Sequence, residues 1–175
     1  MGADDRTLRR AIEQGTVRAR RPSARSLEIS PDEERYLAQS WPLLSALRRA
    51  LRTERSARLA VLCGSAATGG AAASSDVDLL VDGLGWDPLH RVRLSVRLRR
   101  AVGRQVHVVP LEEAVRAPSL LRDALEEGRV LIDRDRKWAD LKSRQAEVRR
   151  AARTAERRTA ERAAEAVAQA RARLA

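Results

Sequence analysis

Two apolar runs, and what joins them, constrain this chain more than any other feature. The first, Leu59-Ala60-Val61-Leu62-Cys63, ends in Gly64-Ser65. Ten residues intervene, Ala66 to Ser75, before the second run, Asp76-Val77-Asp78-Leu79-Leu80-Val81. Short apolar runs bounded by Gly and Ser read as buried strands. Side chains alternate along a strand, so Asp76 and Asp78 point to the same face. Carboxylates that close repel each other unless a cation sits between them, so the pair reads as a hard-metal site, most naturally magnesium. The Gly-Ser turn supplies backbone N–H groups and a hydroxyl, which suit a phosphate. A phosphate cradle beside paired metal carboxylates is apparatus for nucleotide chemistry. An exposed acidic pair on a surface hairpin would leave both carboxylates unexplained inside an apolar run.

The arrangement G-S-x10-D-x-D between two apolar strands resembles the minimal nucleotidyltransferase family of the DNA polymerase beta-like superfamily. The resemblance runs from about Arg58 to Asp133. It implies an α/β fold, a small nucleotidyltransferase sheet with flanking helices, with ATP as substrate and Mg2+ as cofactor. It assigns phosphate binding to Gly64 and Ser65, and metal binding to Asp76 and Asp78. In such proteins a third carboxylate on a later strand activates an acceptor hydroxyl, which attacks the α-phosphate and releases pyrophosphate. Metal-bound carboxylates would neutralise the leaving pyrophosphate.

Two positions depart from the family pattern. The loop often reads Gly-Ser-x-Ala-Arg-Gly, whereas this chain has Gly64-Ser65-Ala66-Ala67-Thr68-Gly69. Thr68 therefore stands where an arginine would pair with phosphate. On the third strand, Val106-His107-Val108-Val109, His107 takes the place of the usual aspartate. Neutral imidazole is a competent general base or metal ligand. The same substitution also fits a domain that binds nucleotide without transferring it.

Composition bounds the rest. Hydrophobic residues make up 43% and charged residues 34%, which is globular rather than disordered. With no Phe, one Tyr and three Trp, the core must be built from Leu, Val and Ala. Cys63 is the only cysteine, so a reducing compartment is the simplest inference, and it reads as a small core residue rather than a nucleophile. With neither a signal peptide nor a membrane-spanning apolar run, a cytoplasmic location is expected. The net charge of +11, nearly all from arginine, favours anionic partners: nucleic acid, nucleotides or an acidic protein. An arginine-rich compositional bias on solvated helix faces accounts for it equally well.

Three segments are expected: 1–54, a helical and basic N-terminal segment; 55–136, the nucleotidyltransferase unit; and 137–175, a long Ala/Arg/Glu-rich helix. The first opens with a helix, Asp5 to Gln14, ended by Gly15. Val17 to Arg20 and Leu27-Glu28-Ile29 alternate as short strands. Ser30-Pro31-Asp32-Glu33 has the form of a capping box opening a helix that breaks near Trp41-Pro42 and resumes from Leu43 to Arg52. A helix, a Gly turn and a basic strand pair with Arg18, Arg20, Arg21 and Arg25 look loosely like a small winged helix-turn-helix able to contact DNA phosphates. A basic arm packed on the catalytic unit is the plainer alternative. Tyr36 and Trp41 read as core aromatics.

In the second segment, a helix from Pro88 to Val102 presents Leu89, Val92, Val96 and Leu98 as core candidates. His90 on that helix reads as exposed, and Asp82 as a loop or cap residue. Strand Gln105 to Val109, helix Pro118 to Glu127 and strand Val130 to Ile132 complete the unit, leaving the Asp pair on an interior strand. In the third, Leu141, Val148 and Ala155 are spaced by seven, a possible coiled seam. A solvated helix docking only near Trp138 and Leu141 is the alternative.

Two functions follow. One is a magnesium-dependent transferase moving a nucleotide, AMP from ATP, onto a hydroxyl. Small members of the resembled family act as antitoxins that adenylylate a HEPN-type toxin, and others modify aminoglycosides, whose cationic character a +11 protein would repel. A protein or nucleic-acid acceptor is favoured. The other is a catalytically degenerate binding module that neutralises a toxin by contact, or regulates DNA through its basic arm.

Overall fold

The computed structural model describes residues 5–23, 26–72, 74–83 and 87–174. In chain order the elements are α1 (Asp5–Glu13), β1 (Arg20–Ser23), β2 (Ser26–Glu28), α2 (Pro31–Arg52), β3 (Ala57–Cys63), α3 (Gly64–Thr68) and β4 (Val77–Gly83). They continue as α4 (Pro88–Val102), β5 (Val106–Pro110), α5 (Leu111–Arg116), α6 (Pro118–Glu127), β6 (Arg129–Asp133), α7 (Lys137–Ser143) and α8 (Gln145–Leu174). A mixed sheet runs β5-β4-β3-β6, with β4 and β5 parallel and β3 antiparallel to both its neighbours. β4 is interior, so the Asp pair sits at the start of a strand paired on both sides. β1 and β2 form a separate hairpin. Arg25 of the expected basic strand pair lies outside the described residues, as do Leu84 and Gly85.

Alternation sorts the apolar residues of the sheet onto two cores. Leu62, Leu79, Val81 and Val106 pack with Leu44, Leu47 and Leu51 of α2 and Leu94 and Leu98 of α4. Leu59, Val61, Cys63 and Leu80 face the other way, onto Leu111, Ala114, Leu121 and Leu125 of α5 and α6. Each fully buried Leu contributes about 1.5–3 kcal/mol by removal from water.

Several expectations are corrected. α2 is one 22-residue helix that runs through Pro42. Proline in a helix interior costs about 3 kcal/mol. Burial of Tyr36 and Leu37 before it, and of Leu44, Leu47 and Leu51 after it, ties both halves to one core and outweighs that cost. Only Ser30 of the capping box caps, accepting from the Glu33 N–H at 3.2 Å; the Glu33 carboxylate turns inward. The first short strand lies at Arg20–Ser23, and Val17 is instead a core residue at the turn after α1. That turn is tied to β6: the Val130 N–H donates to Gly15 O at 3.1 Å, and the Thr16 hydroxyl donates to Val130 O at 2.5 Å. α1 and α2 therefore share the sheet's own core.

On α4, Leu94 and Leu98 are buried, whereas Leu89, Val92 and Val96 are exposed. Leu98 is thus buried as expected, while Leu94 takes the place of the other three; both stripes have helical spacing, so periodicity alone could not choose between them. The expected single C-terminal helix is broken at Arg144, between α7 and α8. Its docking reaches well past Leu141. Val148 and the fully buried Ala152 lie against the second core, and Glu156 takes hydrogen bonds from Arg122 at 2.5 Å and Ser119 at 3.1 Å. From Arg157 to Arg171 the helix is exposed. Among the described residues no helix is long and apolar enough to cross a membrane.

Candidate functional site

The Gly64–Ser65 turn and the Asp pair meet at one end of β3 and β4. Cys63 stands opposite Asp78, and Asp78 beside His107, so the three occupy one row across the sheet. Residues in register share a face, and Cys63 packs in the α5/α6 core, so Asp78 and His107 project on that side. Gly64 opens α3 with φ +64, and a Cβ there would come within 2.9 Å of Asp78 Oδ2. Only glycine combines that backbone with that approach. The Gly-Ser turn and the second carboxylate are thus in van der Waals contact, although fourteen positions separate Gly64 from Asp78 in the sequence.

Asp76 immediately precedes β4, and its Oδ2 lies 3.3 Å from His107 Nε2. Asp76, Asp78 and His107 are all exposed, while Val77 and Leu79 between them are buried. In a chain with 35 Lys and Arg, neither Asp76 nor Asp78 forms an ion pair with either type among the described residues. Such an uncompensated pair of hard oxygen ligands fits a divalent magnesium, which is commonly held by one or two carboxylates plus phosphates and water. Among the described residues no three His, Cys, Asp or Glu side chains converge as a metal cage.

The turn is held from behind by Arg129, which sequence reasoning did not single out, together with Glu33 and Tyr36, which it read only as a cap and a core aromatic. Arg129, 1% exposed, donates to Ala67 O at 2.7 Å and to Thr16 O at 3.2 Å. It also grips both Glu33 oxygens, at 2.5 and 2.8 Å, and lies 3.5 Å over the Tyr36 ring. The Tyr36 hydroxyl donates to Ala66 O at 3.0 Å. Two carbonyls of the five-residue α3 are therefore pinned to α2 and β6. Arg104 donates to Ser75 O, fixing the residue before Asp76. The one visible signal was Arg129 itself, a charge adjoining the apolar run Val130-Leu131-Ile132.

The remaining candidates sort by environment. Ser65 is exposed at the turn. Thr68 bonds back to Ser65 O at 3.3 Å. Cys63 is buried; loss of hydration pushes its thiol up to about 12, so it stays protonated and is no nucleophile. Asp82 is not a loop or cap residue: it is 5% exposed on β4 and paired with Lys137 Nζ at 2.6 Å. His90 is half-buried beside Glu54 rather than exposed on a free helix face, because α4 packs against α2.

The family model "Polymerase beta, Nucleotidyltransferase" matches residues 46–137, just over half of the chain. The chain belongs to the polymerase beta nucleotidyltransferase family. Its matched region starts within α2 and contains Gly64, Ser65, Asp76, Asp78 and His107. Among solved structures, a chain from the crystal structure of a toxin-antitoxin with AMP-PNP superposes with a TM-score of 0.58. It is 19% identical, covering 69% of this chain and 97% of that one. A chain from the MntA-HepT toxin-antitoxin crystal structure gives 0.54 at 17% identity, covering 71% and 98%. A tri-AMPylated Shewanella oneidensis HEPN toxin in complex with MNT antitoxin gives 0.51 at 16% identity, covering 73% and 98%. These likenesses show the nucleotidyltransferase fold. No curated protein sequence matches the chain significantly.

Proposed function

We propose that this protein is a magnesium-dependent nucleotidyltransferase that moves AMP from ATP onto a hydroxyl of a protein partner, as the antitoxin of a HEPN-type toxin. The observation that carries the reading is the uncompensated Asp76–Asp78 pair lying against the Gly64–Ser65 turn. The partner class rests on the toxin-antitoxin complexes whose fold this chain shares. Magnesium held by Asp76 and Asp78 would offset the charge of the triphosphate. The chain's own residues supply the rest. The missing side chain at Gly64 lets the turn come close to Asp78, so that backbone and carboxylate face one ligand, and the Ser65 hydroxyl donates to a phosphate oxygen. An unprotonated ring nitrogen of His107 accepts the proton of the acceptor hydroxyl as that oxygen attacks the α-phosphorus and pyrophosphate departs.

A second reading is favoured by Thr68. Its hydroxyl turns back to Ser65 O and offers the phosphates no cation. Together with His107 in place of a carboxylate, it supports a module that binds nucleotide and partner without transfer. Incubation with α-labelled ATP, magnesium and a HEPN-type toxin separates the two. Labelled partner and released pyrophosphate are expected from the enzyme, lost on Asp76→Asn/Asp78→Asn. His107→Ala should lower turnover by about 100- to 10,000-fold, with His107→Asp keeping or raising it. Full activity in His107→Ala refutes the base assignment. No labelling by the wild type refutes the transferase.

A further inference from the structure

α1, α2 and β6 border an open cavity of about 620 Å³ lined by Arg10, Arg48, Arg52 and Arg134 together with Trp41 and Gln14. It lies on the α2 side of the sheet, at the β6 edge, whereas His107 stands on β5 at the opposite edge. No residue of the Asp76–Asp78 site lines it. The volume falls within the range of small-ligand pockets, about 300–1,000 Å³.

Its electrostatics are one-sided. Asp133 is the lining carboxylate, and its two oxygens already accept from the Lys137 and Trp138 N–H groups, capping α7. Arg134 is turned onto the carbonyls of Leu51, Arg52 and Arg55 at the end of α2. Arg48 is half-buried and, among the described residues, bonds only neutral groups, Gln14 Oε1 at 2.6 Å and Thr16 Oγ1 at 3.4 Å. Burial, then Arg52 and Arg10, depress its guanidinium from the ordinary arginine value, with no carboxylate opposing them. Arg10 and Arg52 are exposed, and neither has an ion pair among the described residues. Three guanidinium groups against the single carboxylate of Asp133, whose oxygens are taken up by backbone N–H groups, leave a net positive site suited to an anion. Trp41 adds an indole face on which a planar base can stack.

We propose that this cavity is a second nucleoside-phosphate site, with Arg10, Arg48 and Arg52 holding phosphate and Trp41 the base. The phosphate can belong to a free nucleotide or to the 5′ end of a nucleic-acid strand. The site does not depend on the transferase reading. Thr7, Arg10, Gln14 and Trp41 precede the family match, so it is built largely by the N-terminal segment.

The test uses the full chain carrying Asp76→Asn/Asp78→Asn, in EDTA, which removes the first site. Fluorescent ADP and a 5′-phosphorylated single-stranded oligonucleotide are titrated separately. Saturable binding of ADP identifies a free nucleotide, and binding of the oligonucleotide alone identifies a strand end. Either should weaken at least tenfold in Arg10→Glu and in Arg52→Glu, both exposed positions, and several-fold in Trp41→Ala, with circular dichroism unchanged. Binding of neither probe, or binding unaffected by both charge reversals, overturns the proposal. Pyrophosphate displacing the probe as well as ADP does overturns the nucleoside assignment.

Discussion

Removing the Glu33 carboxylate tests whether the buried ion pair supports the fold and the phosphate turn together. Arg129 and Glu33 are 1% and 5% exposed, and they meet in a two-pronged contact at 2.5 and 2.8 Å. In Glu33→Ala the guanidinium stays buried with only the carbonyls of Ala67 and Thr16 as acceptors, and the Arg18 N–H loses its 3.0 Å acceptor as well. Breaking one side of a buried pair costs about 3–5 kcal/mol, because an uncompensated charge remains. A domain of this size has about 5–15 kcal/mol in total, so the loss is a large fraction. Urea unfolding should show it as a lowered midpoint with unchanged slope. Thermal melts should fall by roughly 6–20 °C, at about 2–4 °C per kcal/mol. Glu33→Met/Arg129→Met should recover most of the loss, since an apolar pair leaves no charge to satisfy. The exposed Arg35–Asp32 pair is the control, and Asp32→Ala should change stability by no more than about 1 kcal/mol. A Glu33→Ala loss as small as that control would refute the reasoning.

Gly64→Ala should destabilise the protein by about 1–3 kcal/mol and weaken magnesium-dependent ATP binding, because the new Cβ meets Asp78 at positive φ; isothermal titration beside a melt checks both. Burial raises the Glu54 carboxyl, but hydrogen bonds from Ser56 and Arg97 and the Arg97 charge outweigh it and hold it at about 2, below its ordinary 4.5. Its folded value is depressed, so it stabilises the fold above pH 4.5 and loses that contribution as pH falls toward 2. Glu54→Gln should therefore be less stable than wild type at pH 7, by about 1 kcal/mol once solvent screening is allowed for, and the gap should close near pH 2 in urea titrations. Arg20→Glu/Arg21→Glu on the exposed hairpin should weaken DNA binding and flatten its salt dependence while leaving stability unchanged. Equal salt slopes in a filter-binding series would remove the DNA-contact reading of that hairpin. Charge reversal is the sharper test, because deleting the segment would also remove Ala11, Thr16 and Val17 from the core.

Local chemistry was legible wherever a short window carries it. The strand–turn–strand unit, the helices Pro88–Val102 and Pro118–Glu127, and the Ser30 cap all depend on alternation, backbone freedom or a side chain reaching three residues along. What the tertiary structure decided are choices between equivalent local patterns. Of the expected core residues of α4 only Leu98 is buried, and Leu94 rather than Leu89, Val92 or Val96 joins it, because only the position of α2 and β5 says which stripe of α4 is inside. Pro42 stays helical because both halves of α2 meet one core. Glu33 leaves its capping role because Arg129, 96 positions away, offers a stronger buried partner. The arginines around Trp41 gather into a cavity only when β6 returns beside α1. Sequence spacing carries short-range geometry; burial and charge compensation depend on which distant segments the sheet brings together.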